Sequence, residues 1–193
     1  MEYINLKMPF NNSKLEKGKL LIAEPFLADR IFYRTVIFIC EHNEEGTIGF
    51  ILNQLSIFTL GDLIISFKDS DLQIYKGGPV QEDTLHLLHR LPEIIGGTEI
   101  LPGIYWGGSF DALQKCLLSK ENLEEDIRLF IGYSGWTAGQ LEKEIKEKTW
   151  FIADAPQNIV FSKDIKDIWK NAIELFGKDY SYLYNIPHNP QFN

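Results

Sequence analysis

The apolar residues of this chain come in short runs, and the length of those runs is the strongest constraint on what it can fold into. Residues 19–23, 35–41 and 49–52 are rich in Ile, Leu, Val and Phe. That is the length and composition of strands rather than helices. Similar runs at 72–75, 84–89, 104–106, 127–132 and 149–153 predict further strands, with a shorter one at 159–161. Helical periodicity is confined to 59–66, 109–118, 138–148 and 163–176. In the last of these Ile165, Ile168, Trp169, Ala172 and Phe176 share a face, and Gly177 is placed to end the helix. Ser109 reads as an N-cap, as does Thr137, with Gln140 at capping-box spacing. Strands come first and mixed strand and helix follow. Regular βαβ alternation is missing, which excludes a doubly wound parallel sheet and predicts an α+β domain with a largely antiparallel sheet. No linker or repeat divides residues 1–193, so the chain reads as one domain with an extended tail at 185–193.

Charge narrows the partners. The formal net charge is −8, which opposes binding to phosphate backbones and makes direct nucleic-acid binding a poor expectation. Lys143, Lys146 and Lys148 alternate with Glu142, Glu144 and Glu147. They read as a solvated helix face with i,i+4 pairs, Glu142 with Lys146 and Glu144 with Lys148. There is no polybasic patch for a membrane surface, and no apolar run nears the roughly 20 residues of a membrane span. Cys40 and Cys116 lie in apolar runs without zinc spacing, so they read as buried thiols. Residues 1–12 lack a signal-peptide apolar core. Together these features predict a cytosolic protein without metal or cofactor.

The segment from Gly132 to Glu142 is the most informative. It reads as a strand, a Gly-rich turn and a capped helix, a place where backbone N–H groups are free to meet a ligand. Phosphate fingerprints do not match it. The nucleophile elbow fails because Trp136 replaces its second glycine. The set Tyr133, Trp136, Gln140 and Glu142 is therefore a candidate ligand or partner site, with Trp136 as apolar wall, Gln140 as cap and contact, and Glu142 as polar contact. The corner Gly77-Gly78-Pro79-Val80 joins it as a place of close backbone approach. Weaker candidates are Glu41, His42, Asn53 and His89. Glu41 and His42 are neighbours on a strand and point to opposite faces, so they do not converge on each other. His86 and His89 face opposite sides of a strand for the same reason, and His89 reads as a structural histidine. Asn53-Gln54 reads as turn chemistry. The four tryptophans read as core.

Taken in order, several stretches resemble one family. They are Leu21-Ile22-Ala23-Glu24-Pro25-Phe26-Leu27, Phe32-Tyr33-Arg34-Thr35-Val36, Cys40-Glu41-His42-Asn43, Gly46-Thr47-Ile48-Gly49 and Leu52-Asn53. After them come Gly77-Gly78-Pro79-Val80 with His89, Tyr105-Trp106-Gly107-Gly108, and Gly132-Tyr133-Ser134-Gly135-Trp136 with Gly139-Gln140-Leu141-Glu142. The set is similar to the AlgH/YqgE family of bacterial proteins over about residues 18–177. The ending Asn185-Ile186-Pro187 onward resembles its Bacteroidetes branch. The resemblance implies a bent, bifurcated, largely antiparallel sheet that closes into a pseudo-barrel with flanking helices. It also implies a cytosolic location, and it carries a transcriptional-regulator label with no established enzymatic activity. His89 matches the family pattern and His86 lies outside it, while the position of Ser134 also admits Ala.

These readings favour a non-enzymatic regulatory or binding protein with a small-molecule or protein partner at the motif turns. The rival is an enzyme, such as a hydrolase, using Glu41, His42, His89 or Glu142. A direct DNA-binding regulator is the third and poorest reading.

Overall fold

The computed structural model describes residues 8–9, 13–119 and 125–186. Its strands are β1 (Lys19–Ala23), β2 (Val36–Asn43), β3 (Gly46–Ile51), β4 (Leu55–Thr59), β5 (Gln73–Lys76), β6 (Val80–His89), β7 (Thr98–Leu101), β8 (Ile104–Trp106), β9 (Ile127–Thr137) and β10 (Trp150–Asp154). The helices are α1 (Leu60–Leu63), α2 (Pro92–Ile95), α3 (Phe110–Ser119), α4 (Gln140–Lys146), α5 (Gln157–Val160) and α6 (Ile168–Glu174). The sheet runs β10-β1-β2-β3-β9-β6-β8-β7. Every pair on that path is antiparallel, and among the described residues the one parallel pair is β5 with β9.

The sheet forks at β9. One edge of β9 carries β6. The other carries β5 along Leu129–Ile131 and β3 along Ser134–Thr137. The long branch then curls back on itself. Lys17 donates its ammonium to the Glu99 carbonyl at 3.3 Å, and Gln157 donates its side-chain amide to the Pro102 carbonyl at 3.0 Å. These contacts bring the start of β1 and the helix after β10 against the β7–β8 hairpin, closing the pseudo-barrel.

Three apolar clusters follow from this curl. The barrel interior holds Leu20, Ile22, Phe38, Phe50, Leu88 and Phe130, stoppered by Ile168, Trp169, Ala172 and Ile173 of α6. A second cluster lies under α1, α2 and α3, around Ile74, Leu87, Leu113 and Leu129. A third lies under α4, around Leu21, Ile37, Ile39, Trp136, Leu141 and Trp150. Strands β1 and β2 are thus covered on both faces, which is why they read as unbroken apolar runs rather than as an alternation. Each fully buried Leu, Ile or Phe contributes about 1.5–3 kcal/mol.

Gly132 decides how β9 serves two of these clusters. Phe130 and Tyr133 both face the barrel interior although they are three residues apart, while Ile131 faces the helices α1–α3. A regular strand would put Phe130 and Tyr133 on opposite faces. Gly132 sits at φ 65°, a left-handed residue at the bulge where β6 carries the extra residues against β9, and the faces flip beyond it. Because of that flip, Trp136 points outward, beneath α4.

Several expectations need correction. Residues 132–137 are the second half of β9, not a turn, and the bend comes at Ala138-Gly139. Gly139, at φ 74°, is the residue before α4, so Thr137 is not its N-cap. Half of the capping box survives, since Gln140 Oε1 accepts the Thr137 backbone N–H at 3.1 Å. Residues 159–161 are not a strand: Ile159 and Val160 end the one-turn helix α5, where both side chains are buried in the barrel. Packing overrides β-branched propensity there. The helix expected over 163–176 starts only at Ile168, and the Ser162 carbonyl before it accepts a hydrogen bond from the buried Arg128 guanidinium. The helix expected over 59–66 stops at Leu63, and a single 3₁₀ turn, Ile65–Phe67, follows. Strands β4 and β7 went unpredicted, being short and half-exposed. Of the expected extended tail, residues 187–193 lie outside the described residues. So do residues 1–7 and 10–12 of the N-terminal segment read for a leader. Both cysteines are buried and neither forms a disulfide among the described residues, and burial pushes the Cys40 thiol well above its ordinary range. Among the described residues no helix is long and apolar enough to cross a membrane.

Candidate functional site

The outward half of β9 meets α4 through a carboxylate that sequence reading did not single out. A helix places residues four apart on one face, so Gln140 and Glu144 stand one above the other over the sheet. Glu144 Oε2 accepts the indole N–H of Trp136 at 2.9 Å and that of Trp150 at 2.8 Å. Its Oε1 accepts the Gln140 side-chain amide at 3.0 Å. Glu144 therefore does not pair with Lys148, and Glu142 faces His42 rather than Lys146. The ion pair seen along this helix is Lys143 with Glu147, at 3.8 Å. Lys143, Lys146, Glu147 and Lys148 are exposed, as a solvated face requires, but Glu144 is turned away from it into a clasp that orients two tryptophans.

Phe32 completes an aromatic group. It stacks on Trp136 with centroids 6.3 Å apart and meets Trp150 edge-on at 5.6 Å. Trp136 and Trp150 stand nearly perpendicular at 5.9 Å. A cleft of about 360 Å³ opens among these rings, with Leu27, Pro79 and Gly135 on its walls and Asp29, Gln140 and Glu144 as polar groups. Asp29 caps its own loop, its Oδ1 accepting the backbone N–H groups of Ile31 at 2.8 Å and Phe32 at 3.3 Å.

A second cleft of similar volume, about 360 Å³, lies across the same strand end and shares Gly135 and Trp136. Glu41, Thr47, Val80 and Tyr133 contribute to it. A bulge in β2 at Cys40 lets Glu41 pair with Ile48, and His42 with Thr47. His42 Nδ1 lies 2.8 Å from the buried Thr47 hydroxyl, and Nε2 lies 3.9 Å from Glu142 Oε1. Glu41 itself accepts from the Asn43 side-chain amide at 2.8 Å. As expected for strand neighbours, Glu41 and His42 do not converge on each other. His42 and Glu142 do approach, from different elements.

The remaining candidates sit elsewhere. Gly77 and Gly78 mark the point where the chain entering β6 crosses β9. A Cβ at Gly77 would lie 2.2 Å from the Gly132 carbonyl oxygen, and one at Gly78 would lie 2.3 Å from the Tyr133 carbonyl carbon. Close approach of backbones is what these glycines permit. Ser134 is buried beside them and donates its hydroxyl to the Gly77 carbonyl at 3.0 Å. Asn53 is a clamp: Oδ1 accepts the Val36 N–H and Nδ2 donates to the Arg34 carbonyl, both at 2.9 Å. His89 is fully buried. Its Nδ1 accepts the Leu91 N–H at 3.1 Å, so Nε2 carries the proton and donates to the Gly107 carbonyl, also at 3.1 Å. Burial holds this imidazole below its ordinary pKa, against the opposing pull of the backbone carbonyls. His86 is held down by the same desolvation and packs on Phe50 at 5.0 Å. Arg128 is a further buried group the sequence did not announce. It donates to the Leu52 carbonyl at 2.9 Å and lies over the Tyr75 ring at 4.5 Å, and burial lowers its pKa. Among the described residues no group of three or more His, Cys, Asp or Glu side chains is arranged to hold a metal ion.

Of the candidate set, the fold thus gathers Tyr133, Trp136, Gln140, Glu142, Glu41 and His42 around one strand end, and sends Asn53 and His89 away from it. Phe32, Trp150, Glu144, Asp29 and Thr47 were missed as site residues. The spacing of Gln140 and Glu144 on one helix face was the available signal for Glu144.

Comparison with known proteins is consistent along almost the whole chain. A family model described as AlgH-like matches residues 20–181. A UPF0301 protein of Chlorobaculum tepidum is 42% identical over 180 residues, covering 93% of this chain and 96% of its own. A UPF0301 protein of Bacteroides thetaiotaomicron is 42% identical over 189 residues, covering 97% and 96%. Among solved structures, the AlgH protein from Pseudomonas aeruginosa is 30% identical with a TM-score of 0.68, covering 89% of this chain and 94% of that one. The protein DIP2367 from Corynebacterium diphtheriae has a TM-score of 0.76 at 22% identity, covering 90% and 94%, a likeness of fold.

Proposed function

This chain belongs to the AlgH-like family, and from that membership and the geometry of the α4 clefts we propose that it is a non-enzymatic binding protein of the bacterial cytosol. It takes a small molecule or a segment of a partner protein beside Trp136 and acts on gene expression indirectly. One observation carries the reading: Glu144 holds both indoles and Gln140 in place, so the cleft walls are set before any ligand arrives. Preorganised apolar walls with a few placed polar groups are what a binding site needs. The net charge of −8 argues against nucleic acid as the direct partner.

The test is a thermal-shift screen of metabolites on the protein and on Gln140→Ala. A ligand at 100 times its dissociation constant adds about 2.7 kcal/mol, which raises the midpoint of a chain this size by several degrees. Hits lost in Gln140→Ala support the reading. If Trp136→Phe, Gln140→Ala and Glu142→Ala all keep their fold, bind every hit unchanged and rescue every phenotype of a gene deletion, the reading fails.

A second reading rests on His42, which lies between the Thr47 hydroxyl and the Glu142 carboxylate. Hydroxyl, imidazole and carboxylate in that order are the parts of an acyl-transfer site. Against it, Thr47 is 3% exposed and the carboxylate stands at 3.9 Å, outside hydrogen-bond range. Turnover of p-nitrophenyl esters that disappears in Thr47→Val would favour the hydrolase. Equal background rates in both proteins would remove it.

A further inference from the structure

We infer that the cleft beneath α4 receives an organic cation, an ammonium or guanidinium group carried on an apolar body. The inference rests on the reading of this cleft as a binding site and names what it binds. The walls are Phe32, Trp136 and Trp150, and among the described residues the charged side chains lining it are Asp29 and Glu144. Among the described residues neither carboxylate takes part in an ion pair. Glu144 is anchored by three neutral N–H donors. These fix its oxygens and leave its charge uncompensated. Asp29 uses Oδ1 for its own loop, and its second oxygen remains for a ligand at the rim.

The chemistry points one way. Aromatic faces carry negative potential and attract cations, and two carboxylates in the same cleft add to that field. An anion is repelled by every charged group present. A neutral ligand leaves both carboxylates without a counter-charge. A guanidinium group fits best, since it is planar, weakly hydrated and able both to stack on an indole and to meet a carboxylate in a fork. At about 360 Å³ the cleft is at the small end of ligand sites, the size of one short amine or of a single Arg or Lys side chain from a partner protein.

The experiment is an NMR titration that follows the indole N–H signals of Trp136 and Trp150, both of which report on Glu144. The probes are n-butylguanidinium, n-butylammonium, n-butanol as the neutral isostere and butyrate as the anion. The two cations are expected to move both indole signals saturably in the millimolar range, and added salt to weaken them. The alcohol and the anion are expected to bind at least about tenfold more weakly. Asp29→Asn keeps the Oδ1 acceptor and removes only the charge. It is expected to weaken both cations by about tenfold or more, with an unchanged circular dichroism spectrum. An acetylated, amidated Ala-Arg-Ala peptide then separates the sources of the cation. Binding tighter than that of butylguanidinium assigns the cleft to a protein partner, and weaker binding assigns it to a small amine. The inference is overturned if neither cation saturates, or if Asp29→Asn binds both as the parent does. Butanol or butyrate binding as tightly as the cations also overturns it, but leaves the cleft standing as a binding site.

Discussion

Trp136 and Glu144 are joined across 2.9 Å between a strand and the helix that follows it, and this bond with its twin from Trp150 ties α4 to the sheet. Removing the carboxylate orphans two buried indole donors, each at a penalty of about 1–3 kcal/mol. Glu144→Ala is therefore expected to lose about 2–6 kcal/mol of stability. Glu144→Gln, which keeps one carbonyl acceptor, is expected to lose less than half of that. Urea titrations followed by tryptophan fluorescence check both. Equal losses in the two variants would mean that helix packing, and not the indole bonds, holds α4 in place.

Two glycines with left-handed backbone separate conformational strain from crowding. A Cβ at Gly132 would lie 2.6 Å from the Gly78 carbonyl oxygen and 2.9 Å from that of Val80, whereas one at Gly139 meets nothing within 4 Å. Gly139→Ala is expected to cost only the conformational penalty, about 1–2 kcal/mol. Gly132→Ala is expected to exceed it by about 2 kcal/mol or more, because backbone must move to relieve the overlap. Thermal midpoints of the two variants measured side by side test the difference.

The buried His89 imparts a pH dependence whose sign follows from its neutral state. The folded protein holds its pKa below the unfolded value of about 6.5. The unfolded chain therefore binds the proton first, and stability falls as the pH drops below about 6.5. The full contribution is present above that value and is lost progressively toward the folded pKa. His86 acts in the same sense. In His89→Gln an amide oxygen can accept the Leu91 N–H and an amide nitrogen can donate to Gly107. The decline between pH 7.5 and pH 5.5 should then be shallower than in the parent, by up to about 1.4 kcal/mol per pH unit. Denaturation midpoints across that range test it, and parallel slopes would place the titration on other groups.

What the sequence determined by itself is local. The short apolar runs at 19–23, 35–41 and 149–153 announce strands, because an unbroken run of that length suits a strand covered on both faces. Missing βαβ alternation announces the α+β class. Strand alternation alone places His86 and His89 on opposite faces, as they are. The ordered motifs also announce the family, and with it the forked and curled sheet. Tertiary structure decided the site. Glu144 looks like one charge on a solvated helix until Trp136 and Trp150, from two strands at different distances along the chain, turn their indoles toward it. Residues 132–137 look like a turn because they are rich in glycine, yet Gly132 is the bulge that sends Trp136 outward, and only the crossing of Gly77 and Gly78 over β9 requires so bare a backbone. His42 and Glu142 approach each other from different elements, and Asp29 and Glu144 come from different elements to line one cleft. Sequence spacing carries information about neighbours on one helix or strand. Which faces of separate elements converge depends on the curl of the sheet and the flip at one bulge, and those are properties of the assembled chain.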